Sequence, residues 1–91
     1  MDPYAQLASL LDLAEQLGLT VRLMPPSAEG EHPGGALVRL RGREVLFLDA
    51  QAGVADRLAV VARALAGRAE VEDRFLPPEL RELLDRYKDA E

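Results

Sequence analysis

Residues 36–48 restrict the possible folds more than any other stretch of this chain. Ala36 to Leu40, apolar but for Arg39, and the apolar run Val45 to Leu48 are joined through Arg41-Gly42-Arg43-Glu44. A glycine between two arginines marks a hairpin turn, where positive φ is needed. The return run, Val45-Leu46-Phe47-Leu48, is apolar on both of its alternating faces. Such a strand belongs at the centre of a sheet or beneath cover on both sides. The rest of the chain must supply that cover.

Helical spacing supplies it. Leu7, Leu10, Leu11, Ala14 and Leu17 repeat on one side of Pro3 to Leu17, opposite Gln6, Ser9, Asp12 and Glu15. Asp2-Pro3 is an N-cap and first-turn pair, and Gly18 suits the C-terminal stop. Thr20 to Leu23 alternates as a short strand with Val21 and Leu23 inward, ended by Pro25 and Pro26. In the hairpin, Ala36, Val38 and Leu40 form one row, and Leu37, Arg39 and Arg41 the other. A second helix is expected over Gly53 to Ala66, with Val54, Leu58, Val61, Ala62 and Leu65 as its stripe and Gly67 as its terminator. Glu70 to Arg74 reads as a polar connector. A third helix starts at Pro77-Pro78, with Leu80, Leu83, Leu84 and Tyr87 on one side.

The order α-β-β-β-α-α predicts an α+β fold in one domain spanning residues 1–91. Its sheet is expected to be small, three-stranded and mainly antiparallel, with helices packed on one face. A chain of this size buries only about 60–65% of its unfolded surface. Its aromatics are limited to Tyr4, Phe47, Phe75 and Tyr87. Self-association is the expected source of further burial.

Composition removes several function classes. There is no cysteine, hence no disulfide framework and no thiolate chemistry. No basic leader with an apolar core opens the chain, and no apolar run reaches the roughly 18–20 residues that span a bilayer. A cytoplasmic protein without a membrane partner is expected. The net charge of −5 argues against general nucleic-acid binding, but it is unevenly spread. Residues 1–34 carry one arginine against five acids, net −4; residues 35–68 carry six arginines against three acids, net +3. Residues 69–91 carry four bases against eight acids, net −4. A basic middle between acidic ends complements itself, which favours association between copies.

Reactive chemistry finds little support. His32, the only histidine, lies in Glu29-Gly30-Glu31-His32-Pro33, on a Gly/Pro-rich loop that fixes ligands poorly, so no metal is expected. The acids at 12 and 15, and at 79, 82 and 85, fall on polar helix faces as solvated charge. Ser9 and Ser27 have no neighbouring histidine, so a Ser-His triad is not expected. Gly34-Gly35 precedes a strand rather than a helix and is no phosphate cradle. No catalytic residue, metal or cofactor is therefore expected, and the chain is not expected to be an enzyme.

Several phrases carry a family likeness. Leu13-Ala14-Glu15-Gln16-Leu17-Gly18-Leu19-Thr20-Val21-Arg22, Gly35-Ala36-Leu37-Val38-Arg39-Leu40-Arg41-Gly42-Arg43 and Val45-Leu46-Phe47-Leu48-Asp49 follow one another in a characteristic order. Residues 7–66 thereby resemble the N-terminal part of an ImmA/IrrE-type zinc-metallopeptidase domain. The whole chain, with its Phe75-Leu76-Pro77-Pro78-Glu79-Leu80 ending, is similar to small bacterial proteins. The likeness implies a His-Glu-x-x-His zinc site on the helix after the hairpin. Here that helix reads Val54-Ala55-Asp56-Arg57-Leu58-Ala59-Val60-Val61-Ala62-Arg63-Ala64-Leu65, without histidine or cysteine. The resemblance therefore implies a shortened, metal-free relative and transfers no catalytic residue.

Binding remains. Arg39 and Arg41 share a row of the hairpin, and Arg22 is expected beside them if its strand pairs there. With Arg43 they form a candidate interaction surface for carboxylates or an acidic partner. Ala55 and Ala59 on the second helix, with Ala62 and Ala66, offer a second surface open to close helix approach. The expectation is a non-enzymatic protein–protein interaction or adaptor module, self-associating as a homodimer. The alternative is a small-ligand-binding regulatory domain with the loop 25–35 as its lid.

Overall fold

The computed structural model describes residues 1–24 and 34–88. Helix α1 (Pro3–Gln16) starts where Asp2 takes the Ala5 N–H on its side chain at 2.9 Å. Gly18, at φ +91°, reverses the chain into β1 (Thr20–Leu23). Strands β2 (Gly35–Leu40) and β3 (Arg43–Leu48) flank a two-residue turn, Arg41-Gly42, with φ of 51° and 79°. Two positive φ angles match the right-handed twist of a hairpin, and only glycine adopts them without strain. Helix α2 (Val54–Leu65), the one-turn α3 (Ala69–Glu72) and α4 (Pro78–Lys88) complete the order. The stretch 70–74, expected as connector, begins with that extra turn. Arg81 ties down its end, donating to the Arg74 carbonyl and, beside the Arg74 N–H, to the Val71 carbonyl.

The fold is α+β, as expected, with strand order β1-β3-β2. The apolar return strand is central. One detail is corrected: β1 runs parallel to β3, so the sheet is mixed rather than mainly antiparallel. A connection of residues 24–34 is long enough to carry the chain across the sheet before the hairpin forms, so β1 need not pair as a hairpin neighbour.

Helices cover the side carrying Leu46 and Leu48. Leu10, Leu46, Val61, Ala62 and Leu65 are fully buried together, with Leu7, Leu13, Leu58 and Leu84 around them. Val60 and Ala64 are buried too, which widens the stripe expected for α2. That helix packs against α1, α4 and the sheet at once, and a helix covered on several sides needs an apolar band wider than one stripe. At its N-terminal end it presses on the start of β2: a Cβ at Gly34 would run into the Asp56 carbonyl.

Candidate interaction site

Register decides what each face of the sheet can bind. Paired residues on neighbouring strands point the same way. Val21, Leu46 and Leu37 align on the helix-covered side, as do Glu44 and Arg39. Arg22, Phe47 and Ala36 align on the opposite side, with Val45 between Thr20 and Val38, and Arg43 opposite Leu40.

The expected arginine row is therefore corrected. Arg39 shares its face with Glu44, Arg22 shares the other with Phe47 and Arg43, and Arg41 belongs to the turn. On β2 the helix-covered row is Leu37 and Arg39, and Ala36, Val38 and Leu40 face the other way. On β1, Val21 packs against the core as expected, but Leu23 is 68% exposed beyond the edge of the cover. Ala62 is fully buried and already used in packing. Ala55 remains exposed and Ala59 half-buried, on a different row of α2 from Val60 and Ala64. Of the proposed lid, residues 25–33 lie outside the described residues, His32 among them, whereas Gly35 is part of β2.

What the structure brings together instead is an edge strand with two exposed sides. β2 forms one edge of the sheet. Leu37, Val38 and Leu40 on it are 40%, 37% and 50% exposed. The Asp49 N–H donates to the Gly34 carbonyl at 2.9 Å. By antiparallel alternation Ala36, Val38 and Leu40 turn their backbone groups toward β3, while Gly35, Leu37 and Arg39 turn theirs outward. Beside this edge lies a groove of about 460 Å³, walled by residues 35–38 of β2 and by Val60, Arg63 and Ala64 of α2. Nothing in the spacing of α2 singled out Val60 and Arg63, because only the placement of the helix along β2 gives them a shared task.

Charge around the groove is unbalanced. Arg68 donates both terminal nitrogens to Glu44, at 2.8 and 2.6 Å, and its Nε to the Ala64 carbonyl at 2.6 Å. This forked contact holds the Glu44 carboxyl below its usual range against the opposing effect of burial, and Arg39 adds to it. The Arg63 guanidinium sits 5.5 Å above the Tyr87 ring. Among the described residues, neither Arg39 nor Arg63 makes an ion pair. Arg57, earlier on the same helix, has a buried Nε without a hydrogen-bond partner.

Elsewhere the surface is less telling. A hollow of about 300 Å³ lies where α1 meets residues 74–77. Arg74 bridges to Gln16 there at 2.7 Å, and Phe75 stands 92% exposed. Among the described residues no three acids or histidines gather as metal ligands, and no helix is long and apolar enough to cross a membrane. No protein-family model, curated protein or solved structure matches this chain, so its role is argued from the surface alone.

Proposed function

We propose that this chain is a non-enzymatic protein-interaction module, self-associating, with β2 as its contact strand. One observation carries the reading: β2 is an edge strand that exposes Leu37, Val38 and Leu40 together. Folded chains blunt such edges with proline, with several charges or with a bulge, because a bare apolar edge recruits other strands. β2 has no proline and a single charged side chain, Arg39. On the face away from the helices, Val38 and Leu40 stand beside half-buried Phe47, an apolar row flanked by Arg22 and Arg43. A second copy laid on that row buries apolar area that a small domain otherwise leaves wet.

The test is oligomeric state by light scattering. Wild-type protein is expected as a dimer. Val38→Glu together with Leu40→Glu is expected as a monomer with an unchanged circular dichroism spectrum, since both side chains already face solvent. A monomeric wild type, or a variant that still pairs, overturns self-association through this row.

A further inference from the structure

We infer that the groove between β2 and α2 receives an extended, acidic segment of a partner protein as a fourth strand on the free edge of β2. The inference rests on the reading of β2 as a contact strand and names what its groove side takes.

The backbone comes first. Leu37 and Arg39 turn their N–H and C=O groups away from β3, which leaves a short ladder for an added strand. The groove then gives that strand's side chains somewhere to go. Alternate residues of an incoming strand point to the helix side, over a floor formed by Leu37, Val60 and Ala64. This floor is apolar and shallow, because Ala64 contributes only a methyl. A small apolar side chain fills it.

Charge selects the neighbours of that side chain. Arg63 lines the groove, and Arg39 follows Leu37 on the same row of β2; among the described residues neither makes an ion pair. Glu44, opposite Arg39, already has both oxygens on Arg68. A carboxylate two residues from the small apolar side chain, on the same row of the added strand, meets a guanidinium that has no ion pair among the described residues. The preferred segment therefore alternates, its helix-side row reading acid, small apolar, acid.

The same charges exclude β2 of a second copy as the occupant. Its helix-side row, Leu37 and Arg39, would bring an arginine and no acid to a groove already lined by Arg63, and like charges there are unfavourable. The acid-rich stretches of α3 and α4 are helical, so they offer no strand. Among the described residues no extended acidic stretch is left to fill the groove, and the occupant is an extended acidic segment of a partner protein.

The experiment uses the full chain and a fluorescein-labelled peptide, acetyl-Glu-Thr-Val-Thr-Glu-Thr-amide, read by fluorescence anisotropy. Saturable binding is expected. The lysine counterpart, Lys-Thr-Val-Thr-Lys-Thr, is expected to bind at least about tenfold more weakly. The glutamate peptide methylated on every amide nitrogen is expected to lose binding, since it has no donors for the ladder. A chain carrying Arg39→Glu and Arg63→Glu is expected to invert the preference toward the lysine peptide. If that variant does not fold, the two peptide controls decide the matter on wild-type protein. Absent saturable binding, equal binding of both charges, or indifference to methylation overturns the inference. A peptide that fails to bind a protein that still dimerises removes this inference alone. A monomer that ignores the peptide removes the contact-strand reading as well.

Discussion

Two charged residues show how context decides what a side chain contributes. Glu44 and Arg68 are joined by two short bonds and are mostly shielded from water, with side chains 28% and 20% exposed. Such a forked contact contributes about 1–2 kcal/mol net, less than its Coulomb energy suggests. Because folding lowers the Glu44 pKa, its contribution is complete above the ordinary glutamate value and disappears as pH falls through the lowered one. Glu44→Gln is therefore expected to cost about 1–2 kcal/mol near neutrality, with the two proteins converging below about pH 4. Urea unfolding at several pH values measures this; a gap independent of pH would refute it. Arg57 is the opposite case. Its buried Nε has no partner, and a desolvated donor left unpaired costs about 1–3 kcal/mol. Arg57→Met keeps the aliphatic stem and removes the donor, so it is expected to raise stability by about 1 kcal/mol. A lowered melting temperature would contradict that account.

At the scale of elements, local signals were legible and the pairing between strands was not. Asp2-Pro3 and Gly18 marked α1 within a residue, because capping and positive φ are written in single side chains. Arg41-Gly42 marked the turn for the same reason. The stripe Leu80, Leu83, Leu84 and Tyr87 gave α4 because only one side of that helix is covered. β2 was harder to place, since its wholly apolar row, Ala36, Val38 and Leu40, faces away from the helices, while Leu37 and Arg39 take the side where α2 lies. In a short strand the position of the covering helix outweighs such a difference between rows. The direction of β1 was hidden too, because residues 24–34 can return the chain either way. The groove inherits both ambiguities: its walls, 35–38 and 60–64, become neighbours only after face and direction are settled. The six candidate surface residues were accordingly identified as types, while their grouping was not: Arg22 and Arg39 parted to opposite faces.

For the whole molecule, the question is whether charge or apolar contact joins copies. The basic middle, at +3, and the acidic ends, at −4 each, invite charge pairing. Among the described residues, little of that complement is used internally. Glu44 pairs with Arg68 inside the middle segment, and Glu72 pairs with Arg81 and Lys88 inside the last one. Surplus charge thus remains on the surface, where it steers encounters but is screened by salt. The row of Val38, Leu40 and Phe47 is apolar and so insensitive to screening. Raising the salt from about 0.05 to 0.5 M shortens the screening length from roughly 14 Å to 4 Å. An apolar dimer is expected to persist or tighten over that range, while the acidic peptide leaves its groove. Light scattering and anisotropy on the same samples separate the two effects. A dimer that falls apart with added salt would show the acidic ends of one copy gripping the basic middle of another, and the sheet face would lose its role as the seam.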